Sequence, residues 1–230
     1  MLSNEASAKA FIDDFMSEEV IEQVLYVMSR CNETVKLVAI YDDSESPCKQ
    51  QAALNVRYFI QKLAEITDIV TAEVFKKGDQ PDIEAQINTE YYPVLALFNE
   101  SGKYAGVCFH GFPGGFELEA FILAIYNLAS PGQSLAAELV ARIQALDYPL
   151  NLKVCVSLSC NLCPELVQTA NRFAILNSLI TTETFDLECF AEMSDLFEIP
   201  SVPAVIINNN EVLFGRKDVR KLLEVLEVQT

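Results

Sequence analysis

One order of secondary-structure elements occurs twice in this chain, and it limits the folds open to it more than any other feature. Hydrophobic periodicity predicts a strand over 35–43, a helix over 46–66 and a strand over 68–75. After a spacer come two strands around the turn "NESG" within 91–110, then a helix over 114–128. "SPGQS" at 130–134 punctuates the chain, and a helix follows over 135–146. The order then recurs: strand 150–159, helix 163–179, strand 180–187, short helix 188–199, a hairpin over 202–215 turning at "NNN", and helix 216–228. "VKLVAIY" is a continuous apolar run, as a strand covered on both faces requires. Pro47 and Pro164 stand near helix starts, where a missing N–H costs nothing. Smaller echoes support a duplication. Cys48 precedes Arg57 and Tyr58 at the same offsets at which Cys163 precedes Arg172 and Phe173, and "YPVLALF" answers "VPAVIIN". The expectation is an α/β chain of two units, residues 1–130 and 131–230, each a mixed central sheet flanked by helices. A weak amphipathic, helical lead-in over 1–18 and a helix over 19–31, with Val20, Val24, Leu25 and Met28 on one face, open the first unit.

Composition narrows the function classes. Hydrophobic residues make up 51% and charged residues 21% of 230, which suits a globular chain of one large or two small domains. A net charge of −17 with no basic stripe argues against nucleic acid and against an anionic membrane surface. No apolar run is long enough to span a bilayer, and the N-terminus lacks a basic start followed by an apolar core. A cytoplasmic location is the simplest expectation. Seven cysteines at irregular spacing do not form a secreted disulfide framework. Cys31, Cys108, Cys155 and Cys189 therefore read as small packing residues.

"SLSCNLCP" at 157–164 breaks that default. Cys160 ends a predicted strand and Cys163 opens a predicted helix. A helix start presents unpaired N–H groups and a partial positive charge, so a thiolate there is stabilised. The exposed first sulfur can attack a substrate disulfide, and the second, one turn in, can resolve the mixed disulfide. Two buried thiols would explain less well a pair bracketing polar Asn161 at a strand–helix junction. Zinc needs four ligands, whereas one CxxC and the single histidine, His110, are present, so no metal is expected. A redox dithiol is the favoured reading. Val202–Pro203 opens the last hairpin and is the second signal. Most X–Pro bonds are trans, so an ordinary strand start stays open. A cis bond would set the Val202 backbone beside the dithiol to pair with an extended substrate strand.

"SLSCNLCPELVQTANRFAILN" followed by "IPSVPAVIINNNEVLFGR" closely resembles the N-terminal domain of the flavoprotein component of alkyl hydroperoxide reductase. The resemblance runs over roughly 19–228 and implies two tandem thioredoxin-like folds, of which only the second keeps a CxxC. It implies Cys160 as nucleophile, Cys163 as resolving cysteine in a Cys160–Cys163 redox disulfide, and Val202 and cis Pro203 as substrate-binding residues. It also implies an acidic residue of the first fold beside the dithiol, and "GFPGGFELEAF" places Glu117 there. The residues alone read Glu117 as a first-turn surface carboxylate. Asn161 stands where the family often has histidine. The resemblance implies that the dithiol passes electrons from a thioredoxin-reductase-like flavoprotein to a peroxiredoxin. No GxGxxG fingerprint occurs, so the chain is expected to hold no cofactor, and its donor to be a separate flavoprotein unless the sequence is an excised domain. The alternatives are a general glutaredoxin-like or disulfide-isomerase-like reductase, or a non-catalytic redox-sensing module. "SESPCKQ" fills the corresponding slot of the first unit, with Cys48 at the resolving position and Glu45 in place of a nucleophile. Cys48 is thus expected to form no local disulfide, and the first unit to serve as a scaffold that shapes the docking groove.

Overall fold

The computed structural model describes residues 2–228. Two helices lead in, α1 (Leu2–Phe15) and α2 (Glu18–Met28). The first unit continues with β1 (Val35–Tyr41), α3 (Pro47–Ile66), β2 (Val70–Lys76), α4 (Pro81–Ile87), β3 (Val94–Phe98), β4 (Tyr104–His110) and α5 (Glu117–Ala129). After α6 (Ala137–Gln144) the same order returns as β5 (Leu150–Val156), α7 (Cys163–Leu176), β6 (Ile180–Asp186), α8 (Ala191–Leu196), β7 (Ala204–Ile207), β8 (Glu211–Phe214) and α9 (Val219–Leu226). Both units are α/β with a mixed sheet flanked by helices, as the repeat predicts.

The two sheets are not separate. They form one eight-stranded sheet in the order β2-β1-β3-β4-β6-β5-β7-β8. Each half repeats the pattern of one parallel and two antiparallel pairings. The join is a parallel pairing of β4 with β6, from Val107 opposite Thr182 to His110 opposite Phe185. Taken alone, β4 and β6 would each be an edge with unpaired backbone groups, and pairing them removes both inner edges. Alternation cannot reveal such a partner, because it reports which faces are covered and not which strand lies alongside.

The same join lets one apolar layer run beneath both units. Phe59, Phe121 and Phe109 of the first unit and Leu166, Phe173 and Val205 of the second belong to a single buried cluster. α5 and α7 pack against each other across it. Each fully buried side chain of this size contributes about 1.5–3 kcal/mol. The opposite face carries two smaller clusters, one around Ile40, Val94 and Ile87 near α4 and one around Phe185, Phe190 and Met193 near α8.

The lead-in is a regular helix, α1, whose buried Ala8 and Ile12, with Met16 just beyond it, belong to the core. One helix departs from sequence expectation. The spacer of the first unit contains α4, seven residues long, started at Pro81 and ended by Asn88 in the left-handed region. It buries Ile87 alone, too little periodicity to read from sequence. Among the described residues, no helix is long and apolar enough to cross a membrane.

Candidate functional site

β5 ends at Val156, and a six-residue loop carries the chain to α7. Cys160 lies half-buried in that loop, and Cys163, the first residue of α7, is fully buried. Their sulfurs form a disulfide with Cα atoms 5.6 Å apart. The Cys160 N–H donates to the Ser157 carbonyl at 2.9 Å, and the Cys163 N–H donates to the Cys160 carbonyl at 3.3 Å, which winds the loop into the helix. Leu162 occupies the N-cap and makes no side-chain cap. The start of α7 thus has no side-chain capping oxygen, and a thiolate can take that place. The Val202–Pro203 bond is cis. Cys155 of β5 pairs with Ala204 of β7, so Pro203 lies level with the mouth of the dithiol loop.

Glu117, the first residue of α5, is not the surface carboxylate that its sequence context suggests. It is 1% exposed, and neither carboxylate oxygen has a hydrogen-bond partner. Loss of hydration, with the Asp186 carboxylate as a second cause, pushes its pKa up to about 8. Glu117 and Asp186 line a cavity with room for about one water, together with Leu158, two residues before Cys160. Backbone contact brings the two units together there. The Phe116 N–H donates to the Leu158 carbonyl at 3.1 Å. Gly115, at φ +55°, lies so close that a Cβ would stand 2.3 Å from that carbonyl oxygen. Burial raises Asp186 to about 6, and the Glu188 N–H that it accepts partly offsets this. Sequence reasoning missed Asp186. Its signal was an acid at the C-terminal end of a strand otherwise rich in β-branched residues, where ligands gather in α/β sheets.

The structure corrects the reading of Cys189 as a packing residue and gives Cys48 a distant partner. They form a second disulfide, Cα atoms 5.7 Å apart, across the two units. A partner 141 residues away gives no local signal. Cys31, Cys108 and Cys155 are free thiols. Cys108 and Cys155 are fully buried, and burial pushes the Cys155 thiol up to about 12, as inert packing residues require. The Tyr92–Pro93 bond is also cis and precedes β3 as Val202–Pro203 precedes β7.

Cys108, His110 and Glu183 place possible metal-ligand atoms within 4.8 Å of one another at the β4–β6 join. Glu183 already has partners. His110 Nε2 lies 2.9 Å from Oε2, and Lys153 Nζ lies 3.0 Å from Oε1. Burial opposes its charge, yet His110, Lys153 and Asn151 hold its carboxyl down at about 2. The ammonium group already supplies the positive charge that a cation would bring.

A dithiol at an uncapped helix start, within a doubled mixed sheet, defines the class of thioredoxin-like dithiol–disulfide oxidoreductases. The model of the thioredoxin domain family matches residues 150–227. The alkyl hydroperoxide reductase protein AhpF of Staphylococcus epidermidis is 32% identical over 128 residues, which are 56% of this chain and 25% of the relative. Its Staphylococcus aureus counterpart is 31% identical over the same length. The match thus spans a quarter of these curated relatives. A structure of AhpF of Enterococcus faecalis is 30% identical with a TM-score of 0.86, over 92% of this chain and 99% of that one. A protein disulfide oxidoreductase from Aeropyrum pernix has a TM-score of 0.79 over 92% of each chain at 19% identity, a likeness of fold. The chain belongs to the family of N-terminal domains of the alkyl hydroperoxide reductase protein AhpF.

Proposed function

We propose that this chain relays electron pairs through Cys160 and Cys163 from a thioredoxin-reductase-like flavoprotein to a peroxiredoxin. The observation that carries the reading is the dithiol at the uncapped start of α7, with Glu117 of the other unit buried behind its loop. The name of the curated relatives supports the peroxide-linked partners. The working units are residues 1–130, which shape the site and supply Glu117, and 131–230, which carry the dithiol. The setting is the cytoplasm.

In the oxidised state a donor thiolate attacks Cys160, and Cys163 leaves as a thiolate; the donor's second thiolate then attacks the mixed disulfide, which frees Cys160 as a thiolate and leaves the donor oxidised to a disulfide. Glu117, protonated near neutral pH by its burial, supplies the proton that the Cys163 thiolate takes up. In the second half-reaction the Cys160 thiolate attacks the peroxiredoxin disulfide, and one of that disulfide's sulfurs leaves as a thiolate. Cys163 gives its proton to the Glu117 carboxylate and closes the Cys160–Cys163 bond, expelling the peroxiredoxin's second thiolate. Val202 and Pro203 line the docking edge for the partner's extended chain.

The test is reconstitution of hydroperoxide turnover from the chain, a flavoprotein reductase with its nicotinamide donor, and a peroxiredoxin. Peroxide consumption that depends on the chain is expected. Reduction of an unrelated protein disulfide such as insulin, with no transfer to the peroxiredoxin, would replace this reading with a general disulfide reductase.

A further inference from the structure

The Cys48–Cys189 pair stands apart from the proposed relay. Cys48 lies in the first turn of α3, the helix that corresponds to α7, and is exposed. Cys189 is half-buried on the turn that follows β6, where its N–H donates to the Asp186 carbonyl at 3.1 Å. The bond therefore ties the first helix turn of one unit to a loop of the other.

We propose that Cys48 and Cys189 form a second thiol–disulfide centre, a covalent latch between the two units that an incoming dithiol opens and re-forms. Three observations carry this. The Cys48 residue is open to solvent, whereas Cys108 and Cys155 are fully buried, so a nucleophile can reach this pair. The latch is flanked by a non-covalent clamp. Lys49 Nζ lies 2.7 Å from Glu192 Oε1 across the unit boundary and 3.2 Å from Glu45 Oε2, and it stands 4.5 Å from the Phe190 ring centroid. With that clamp and the β4–β6 pairing in place, opening the bond leaves the two sulfurs near each other, ready to close again. Last, the Cys48 sulfur lies 3.9 Å from the Glu188 carbonyl, which gives the reduced thiol an acceptor where it stands.

A thiolate of the incoming dithiol attacks the exposed Cys48 sulfur, the Cys48–Cys189 bond breaks, and Cys189 leaves as a thiolate that takes up a proton. The second thiolate of the dithiol attacks the mixed disulfide and releases Cys48, which is also protonated. The dithiol ends as a disulfide, and two electrons and two protons have passed to Cys48 and Cys189. Closing the latch reverses these steps with a disulfide as oxidant.

The test uses the full chain with Cys160→Ser and Cys163→Ser together, so that its outcome is independent of the proposed relay. The protein is equilibrated in buffers of reduced and oxidised dithiothreitol, alkylated, and read by peptide mass spectrometry, with circular dichroism reporting the fold. Cys48 and Cys189 are expected to pass together from linked to alkylated as reduced dithiothreitol rises, while the fold persists. Two free thiols in fully oxidised dithiothreitol would overturn the proposal. So would a linkage that survives excess reduced dithiothreitol in the folded protein. Should the double variant not fold, Cys189→Ser in the parent chain provides the second reading. Oxidised glutathione is expected to add one glutathionyl group, at Cys48, and its failure to do so would count against an accessible centre.

Discussion

The starts of α3 and α7 are the same place in two copies of one design, and they have been put to different uses. In α3 the Ser46 side chain accepts from the Lys49 N–H at 3.5 Å, Pro47 follows, and the cysteine of the first turn is bonded to the other unit. In α7 no side chain caps the helix, and the cysteine of the first turn is bonded three residues back, within the same loop. The surroundings agree more closely than the helix starts do. Each helix is followed by a parallel strand, a short helix, a cis X–Pro bond and a hairpin. The common skeleton thus sets where a reactive helix start would lie. Whether one exists depends on two details, a capping oxygen and the distance along the chain to the second sulfur.

The sharpest way to break this comparison is to remove one sulfur from each unit. Cys160→Ser is expected to lower disulfide reductase activity by roughly a thousandfold or more, as loss of a nucleophile does. Cys163→Ser should instead accumulate mixed disulfides with the substrate protein, visible on non-reducing gels. Cys48→Ser is expected to keep most of the activity, because its bond lies outside the proposed relay. Loss of turnover in Cys48→Ser equal to that in Cys160→Ser would show that the two helix starts work as one.

The second contrast is in stability. The Cys160–Cys163 bond closes a loop too short to restrain the unfolded chain much, whereas the Cys48–Cys189 bond spans 141 residues. Loop closure over that length restrains the unfolded state by roughly 5 kcal/mol at most. Denaturant unfolding under oxidising conditions is therefore expected to show Cys48→Ser less stable than the parent by about 2–5 kcal/mol. Excess dithiothreitol should abolish the difference. Equal midpoints in both conditions would mean that the latch does not form in solution.

Much of this was legible in the sequence, and the omissions share a cause. The repeat, the hairpins and the dithiol are local patterns read within windows of ten to twenty residues, and each lies close to its predicted place. The joining of the sheets, the Cys48–Cys189 bond and the Glu117–Asp186 pair all link residues of different units. Local periodicity carries no information about them. Glu117 shows the limit best. Its sequence context is that of an ordinary first-turn acid, yet it is buried at a cavity lined from both units, by Phe112 and Pro113 of its own and by Leu158 and Asp186 of the other.

Glu117 offers a third, smaller effect that depends on contact between the units. Its carboxyl titrates at the ordinary 4.5 when unfolded and at about 8 when folded. The folded form holds the proton more tightly, so the stability that this group contributes is fully present below pH 4.5. It is lost as pH rises through 8. Asp186 acts in the same sense between 3.8 and about 6. Glu117→Gln removes the first contribution and is expected to flatten stability between pH 6 and 9 by about 2–4 kcal/mol, measured by urea unfolding across pH. Burial also changes what the variant does to the dithiol. Glu117 is mostly neutral at pH 7, so Cys160 alkylation by iodoacetamide in the parent and in Glu117→Gln should agree there and diverge above pH 8. Curves that coincide throughout would place Glu117 outside the dithiol's field.

The smallest effect comes from two glycines that both have positive φ and differ in their neighbours. Gly115 of the first unit and Gly215 of the second have φ +55° and +76°. An alanine at either position pays roughly 1–2 kcal/mol for the left-handed region. At Gly215 nothing lies within 4 Å of the added Cβ, so that is the whole cost. At Gly115 the Cβ would stand 2.3 Å from the Leu158 carbonyl oxygen and 3.1 Å from its carbon, which are backbone atoms that cannot rotate away. The dithiol loop must move, and with it the Phe116 hydrogen bond that joins the units at the site. Gly115→Ala should thus lose about 1 kcal/mol more than Gly215→Ala and also slow exchange at Cys160 by roughly tenfold, the usual consequence of a small displacement in a reactive geometry. Gly215→Ala should leave that rate unchanged. The difference between the two variants isolates how far the first unit holds the dithiol loop in place. Equal exchange rates in both would show that the loop is held by its own unit alone.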